Sequence, residues 1–327
     1  VTDGGAKPVV LVLGSSAAEP PPGIEAVAAL ADLRWAPGQE DVAAALGEAD
    51  VVFFWRGRRA WLEEAWTSVA GLRWIQTASD GVDGLLFPAL VEAGIAITNA
   101  RGVFEGPIAE WAIAAILAFA TGLRTSVVDT ARGRWDDDRV RPRVPGTRLL
   151  VVGPGPIGRA TALRALALGM TVDAVGRTAR EDDVFGRVRG PEELHAALAE
   201  ADHVLDALPL TRETRGTFDR AAFAATKPGA TFLNVGRGGT VDEQALIAAL
   251  RDGRVGAAAL DVFEEEPLPA DSPLWTLPNV IVSPHVCGDV EGWEREVVGL
   301  FADNLGRFLR AEPLRNPVDP RLGFGVG

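Results

Sequence analysis

Short apolar runs of strand type alternate with alanine-, leucine- and glutamate-rich segments of helical period, and no other feature of the chain constrains its fold as much. The runs are Val9–Leu13, Val51–Phe54, Trp74–Thr77 and residues 95–98, followed later by 149–152, Thr171–Val175, 203–207, 231–235, 257–260 and Val280–Val282. Segments such as 23–30 and 42–46 carry the helical spacing between them. Strands that are apolar throughout, each followed by a helix, predict a parallel sheet covered on both faces. At 327 residues the chain holds roughly two such units.

The stretch 107–132 has Pro107 near its start and Glu110 in its first turn, as a helix amino terminus favours. It predicts one long helix separating the two series. The segment 291–309 is again helical in period and follows the end of the second series, so it is expected to pack back on the first. Domain one is then discontinuous, residues 1–102 plus 288–327, with 103–287 forming the second domain. Pro20 to Pro22 reads as a surface turn.

A formal charge of -13 disfavours a phosphate backbone as partner. Cys287 is the only cysteine, so neither an internal disulfide nor a zinc site is expected. Residues 1–8 lack the basic-then-apolar profile of a signal peptide, and the apolar stretch 111–120 is too short to span a bilayer. These features predict a cytoplasmic protein of enzyme size. Lys7 and Lys227 are the only lysines, and the arginine excess reflects overall composition more than function.

After the run 149–152 comes Gly153-Pro154-Gly155-Pro156-Ile157-Gly158 and then a helical segment to about Leu168. In that setting the first glycine permits a tight turn, the second lets a pyrophosphate approach, and the third allows close helix packing. The helix amino terminus supplies an anion site. About twenty residues on, where Asp or Glu normally binds ribose hydroxyls, stands Gly176, followed by Arg177, Thr178 and Arg180. Asp173 lies inside the strand and is expected to point elsewhere. Guanidinium groups and a hydroxyl there suit a 2'-phosphate, which predicts NADP(H) as the preferred cofactor with NAD(H) as the alternative.

Three histidines exist, His195, His203 and His285. The first two fall inside a helix-strand unit and read as solvated or core imidazoles. His285, in Ser283-Pro284-His285, follows the run Val280–Val282 and so stands at the carboxyl end of a parallel strand, where such sheets bind ligands.

Gly153 to Gly158, Asn234-Val235-Gly236-Arg237-Gly238-Gly239 with Val241-Asp242, Leu260-Asp261-Val262-Phe263-Glu264-Glu265-Glu266-Pro267, and Ser283-Pro284-His285 occur in that order. The chain resembles the D-isomer-specific 2-hydroxyacid dehydrogenases, and Ser79-Asp80-Gly81-Val82-Asp83 and Gly102-Val103 with Ile108-Ala109-Glu110 extend the resemblance over nearly its whole length. The resemblance implies two doubly wound α/β domains, a Rossmann dinucleotide-binding domain inserted into a flavodoxin-like substrate domain. It implies an NAD(P)-dependent oxidoreductase interconverting a 2-oxoacid and a D-2-hydroxyacid, of the glyoxylate or hydroxypyruvate reductase type. A dinucleotide-sensing corepressor-like protein and a formate- or phosphite-type dehydrogenase stay open as alternatives.

Carried over residue by residue, Arg237 binds the carboxylate and carbonyl oxygen, His285 is the general acid, and Glu266 pairs with His285. Glu264 and Glu265 face solvent. Backbone amides of Ser79, Asp80 and Gly81 hold the substrate carboxylate, although Asp80 departs from the small residue common there and must turn its charge away. Trp55 reaches the substrate pocket or is simply buried. Cofactor contacts are implied at Gly153, Gly155, Pro156, Ile157, Gly158, Arg177, Thr178, Arg180, Pro209, Thr214, Val235, Gly236, Asp261, His285 and Gly288. Cys287 reads as a small apolar residue, no metal is implied, and the long helix after Pro107 predicts a homodimer, with Trp135 beyond its end reaching towards a neighbouring subunit.

Overall fold

In the computed structural model, which describes residues 7–325 apart from residue 139, five parallel strands form the first sheet. They are β1 (Val9–Leu13), β2 (Asp32–Ala36), β3 (Val51–Phe54), β4 (Trp74–Thr77) and β5 (Ala96–Thr98), in the order β2-β1-β3-β4-β5. This is the flavodoxin-like doubly wound order, with its switch point between β1 and β3. Residues 1–6, most of the segment read above as lacking a leader profile, lie outside the described residues. The strand β2 was not expected. As an edge strand it leaves Asp32 and Arg34 exposed, so it shows no apolar run.

The chain divides into two compact units, one of Val1–Phe104 with Glu291–Gly327 and one of Glu105–Val290. In the first, the helix Trp293–Leu309 returns to the sheet as expected. Its Val297, Val298, Phe301 and Leu305 are buried with Val10, Val12, Phe53 and Trp74, and Phe301 stacks on Phe53 at 4.3 Å. A buried polar lock fixes the depth of that docking. Asn304 donates to Gln76 Oε1 at 3.0 Å and to the Arg315 carbonyl, while Arg315 N–H donates back to Asn304 at 2.8 Å. Each group is paired, so the core tolerates these amides.

The second unit is built on β6 (Arg148–Val152), β7 (Thr171–Val175), β8 (Arg180–Asp182), β9 (Gly186–Arg189), β10 (His203–Asp206), β11 (Ala230–Asn234), β12 (Val255–Leu260) and β13 (Val280–Val282). The order is β13-β12-β11-β10-β6-β7-β9-β8, a Rossmann sheet with one added parallel strand and an antiparallel edge strand, β8. The β8–β9 hairpin escaped the sequence reading because Arg180, Glu181, Arg187 and Arg189 interrupt any apolar pattern.

The single long helix expected over 107–132 is two helices. Glu105–Ala120 and Leu123–Arg132 meet at a 66° bend. Gly122 adopts φ +68°, which ends the first helix because left-handed backbone cannot continue it. Arg124 then ties the second helix to the sheet by donating to the Val280 carbonyl at 3.1 Å. Among the described residues no single helix is long and apolar enough to cross a membrane.

Candidate active site

Val152, Asp206, Asn234, Leu260 and Val282 are register partners across β6, β10, β11, β12 and β13, forming one row at the carboxyl edge of the second sheet. The loops leaving that row carry the predicted residues of this unit. They lie backbone against backbone: a Cβ at Gly153 would stand 2.6 Å from the Ala207 carbonyl oxygen, and one at Gly236 would stand 2.6 Å from that of Leu208.

Gly153 also takes φ +96°, and a Cβ on Gly158 would meet the Gly153 oxygen at 2.5 Å, so the first and third glycines of the loop are demanded by the fold. Gly155 is different. A Cβ there would touch nothing within 4 Å, which leaves open space for a ligand against the backbone. The helix Pro156–Ala167 begins beside it with no side-chain cap, so its first N–H groups point into that space.

Gly176 is packed under the β6–helix turn. A Cβ would lie 3.0 Å from Val188 and 3.1 Å from Pro154, so a carboxylate-bearing side chain has no room without displacing one of them. Arg177 and Thr178 follow on the exposed surface. Arg180 lies on β8 with its guanidinium 3.8 Å from Asp182, and Asp182 is held in turn by Arg159 at 3.0 Å. Asp173 pairs with Arg148 at 3.0 Å, away from the loop, as expected.

His285 Nδ1 lies 2.8 Å from Glu266 Oε2, while Glu266 Oε1 accepts the Phe263 N–H. That hydrogen bond, with the Glu266 and Asp261 charges, outweighs burial and the Arg237 charge and raises the His285 pKa. Burial alone would raise Glu266, but the bonds from His285 and Phe263 and the charges of His285 and Arg237 outweigh it, and its pKa is lowered. Nδ1 is committed to Glu266, so Nε2 is the ring atom left for a reactant. His285 itself sits at φ +57°. The Asp261 carboxylate holds that strained turn by accepting the N–H groups of Val286 at 3.1 Å and Cys287 at 3.2 Å.

The same burial and the nearby Asp261 push the Cys287 thiol up, keeping it neutral and unreactive. His195 is exposed, and His203 is buried at the opposite, amino-terminal edge of β10, with burial lowering its pKa. His203 is therefore away from the row of loops, and His195 lies in the first turn of the helix Leu194–Glu200. Glu264 and Glu265 are exposed, as expected. Thr214 accepts the Thr211 N–H at 2.8 Å and donates to the Pro209 carbonyl, so this pair shapes the loop after β10. Val235 and Gly236 are buried beneath the Arg237 turn, and Gly288 is half-buried just after the His285 turn.

One polar residue of this edge escaped the sequence reading. Asp206, at the end of β10, is fully buried and bonded to Thr240 and to the Leu208 N–H at 3.0 Å. A lone carboxylate closing an otherwise apolar strand, His203-Val204-Leu205-Asp206, was its only signal.

In the first unit the loop after β4 carries Ser79, Asp80 and Gly81. Ser79 Oγ donates to the Gly81 carbonyl at 2.7 Å, closing a tight turn. Asp80 does turn towards the protein: Asn99 donates both to its carbonyl at 2.7 Å and to its carboxylate at 3.1 Å. Trp55 is buried, the second of its two readings. It is 8% exposed, stacked on Trp293 at 5.8 Å and tilted against Phe53, while Arg56 covers its ring and pairs with Glu294 at 2.7 Å. Its indole packs in the core of this unit.

A family model described as "D-isomer specific 2-hydroxyacid dehydrogenase, NAD binding domain" matches residues 113–287. The chain is 35% identical over 257 residues to glyoxylate/hydroxypyruvate reductase B of Yersinia pestis, covering 77% of this chain and 78% of that one. It is 33% identical over 285 residues to D-3-phosphoglycerate dehydrogenase of Methanocaldococcus jannaschii, a match over 86% of this chain that spans only 54% of that relative's length. A solved D-isomer specific 2-hydroxyacid dehydrogenase from Xanthobacter autotrophicus, in complex with NADPH and MES, superposes with a TM-score of 0.82 at 31% identity, covering 98% of this chain and 100% of the other.

Proposed function

This chain belongs to the D-isomer specific 2-hydroxyacid dehydrogenase family, and from that premise we propose that it reduces small 2-oxoacids to D-2-hydroxyacids, and runs the reverse, with NADP(H) preferred over NAD(H). The substrates are of the glyoxylate and hydroxypyruvate class. The observation that carries the reading is the His285–Glu266 pair, standing with Arg237 on the same sheet edge as a glycine loop open at Gly155. A protein that only senses a dinucleotide has no need of an imidazole whose pKa a paired carboxylate raises.

The nicotinamide cofactor, when bound, supplies or accepts the hydride. The loop Gly153, Gly155, Pro156, Ile157 and Gly158 would hold its pyrophosphate, with Pro209, Thr214, Val235, Gly236, Asp261, His285 and Gly288 lining the rest. Arg177 and Thr178 would read the 2'-phosphate; Arg180, drawn to Asp182, contributes charge from further out. The packed Gly176 supports this preference, because it leaves no ribose-binding carboxylate to repel a phosphate.

Arg237 engages the carboxylate and carbonyl oxygen of the oxoacid, its planar fork matching the planar anion. His285 gives its Nε2 proton to the carbonyl oxygen during reduction and takes the hydroxyl proton during oxidation. Glu266 stabilises the imidazolium and fixes its ring. The N–H groups of Ser79, Asp80 and Gly81 bind the substrate carboxylate, which makes the discontinuous unit the substrate domain and Glu105–Val290 the dinucleotide-binding domain.

We also read the chain as a cytoplasmic homodimer built on the bent helix pair, where Leu123 and Val127 are exposed to 59% and 62%, with Trp135 just beyond its end exposed to 89%. Apolar side chains left that open suit isologous contact. Initial rates with glyoxylate, hydroxypyruvate and pyruvate, each with NADPH and with NADH, test the function. Turnover of at least one oxoacid, faster with NADPH, is expected. Inactivity with all of them overturns the reading.

A further inference from the structure

The polar groups behind Arg237 do not balance if every carboxylate of the site is ionised. Thr240 Oγ lies in hydrogen-bond contact with Asp206 Oδ2 and, at 2.6 Å, with the Arg237 carbonyl oxygen. A hydroxyl has one proton, and a carboxylate and a carbonyl are both acceptors. One of the two short contacts therefore needs a second proton, and Asp206 is the only group there able to carry it. The other Asp206 oxygen accepts the Leu208 N–H at 3.0 Å, so Oδ2 is where that proton sits.

We propose that Asp206 is a positioning residue that works as a neutral acid, donating to Thr240, which in turn donates to the Arg237 carbonyl and so pins the turn that presents the Arg237 guanidinium. The assignment of Arg237 to the oxoacid rests on the functional reading above; the protonation of Asp206 does not.

The surroundings favour a neutral acid. Asp206 is fully buried, with Val152 on β6 and Asn234 on β11 as its register partners. Burial outweighs its hydrogen-bond contacts with Thr240 and Leu208 and pushes its pKa up to about 7, with no charged side chain among the contributors from any element packed on it. The same carboxyl joins two loops of the site, holding 207–208 through Leu208 and 237–240 through Thr240. When it ionises, the carboxylate competes for the Thr240 proton and weakens that donor to the Arg237 carbonyl, which also accepts the Asn234 side chain at 3.1 Å and the Thr240 N–H at 3.2 Å. The Arg237 turn then loosens as pH rises through neutrality.

The test uses the full chain, NADPH and glyoxylate, with D206N, D206L and T240V. Asn keeps the geometry and the donor towards Thr240 without the ionisation; Leu and Val break the chain. D206L and T240V are expected to raise the KM for glyoxylate more than they lower kcat, by about threefold to tenfold, the value of one or two neutral hydrogen bonds. D206N recovers most of that loss. The ratio of wild-type KM to D206N KM cancels the titration of His285; it should rise at least threefold between pH 6 and pH 8.5, and a ratio constant over that range overturns the proposal.

Carbon-13 NMR of carboxyl-labelled aspartate supplies a readout independent of turnover. One aspartate signal, absent from D206N, should titrate near neutrality, and its titration in the ordinary carboxylate range overturns the proposal even if the enzyme is active. If wild type reduces no oxoacid, the functional reading falls, and this titration still decides whether Asp206 is a neutral acid.

Discussion

Replacing Glu266 with Gln is the sharpest probe of the acid-base pair. The Nδ1–Oε2 distance is 2.8 Å, with the His285 side chain 49% exposed and that of Glu266 36% exposed. At that separation two unit charges attract by about 1.5 kcal/mol in a water-like dielectric, and solvent screening of half-exposed pairs brings the usable part to about 0.5 to 1 kcal/mol. Loss of the charge therefore lowers the ratio of imidazolium to imidazole about twofold to fivefold at any pH above the His285 transition. Gln can still accept the Phe263 N–H through its amide oxygen, while its NH2 donates to neutral Nδ1 and favours imidazole further.

The sign follows from which form each direction uses. Glu266 raises the His285 pKa, so its removal moves the transition to lower pH. Reduction needs imidazolium: E266Q should match wild type near pH 5 and fall about twofold to fivefold below it near pH 9. Oxidation needs imidazole and should gain on the acid side by a similar factor. Steady-state kcat/KM for oxoacid reduction and hydroxyacid oxidation from pH 5 to 9 reads both limbs. A uniform loss at every pH, or limbs that do not move, would refute the charge pairing as the source of the raised pKa.

His285→Ala should lower oxoacid reduction roughly a hundredfold to ten-thousandfold while NADPH binding, followed by fluorescence titration, stays near wild type; turnover within a few-fold of wild type excludes His285 as the acid. Arg177→Ala should cut the NADPH-over-NADH preference in kcat/KM by about tenfold to a hundredfold, the value of one charge-assisted contact, and an unchanged ratio means that Arg177 does not read the 2'-phosphate. Light scattering at micromolar concentration should give twice the 34.5 kDa chain mass, and substituting Val127 with Glu should shift it towards the monomer; a wild-type monomer removes the homodimer.

Much of the site was legible because parallel α/β sheets gather ligand-binding groups at strand ends, and strand ends show in sequence. His285 could be singled out because it follows an apolar run, and Gly153 to Gly158 because a run precedes it and a helical segment follows. Asp173 could be set aside by its place within a strand. The expected partner of His285 across nineteen residues is also the observed one.

What the linear pattern determined was the alternation of elements, because apolar periodicity is a local property that each segment states for itself. It missed β2, β8 and β9, whose exposed charged residues break any apolar run, and it read one helix where the left-handed backbone of Gly122 makes two. Tertiary structure alone decided that Trp55 faces Trp293 from the far end of the chain, that Asp80 leans on Asn99, and that Gly176 is wedged between Val188 and Pro154. It also decided that Asp206, which the sequence reading passed over, meets Thr240 where water cannot reach. Burial and hydrogen bonding between residues far apart in the chain exist only once the sheets are assembled, and these set the charge a side chain carries and the direction it faces.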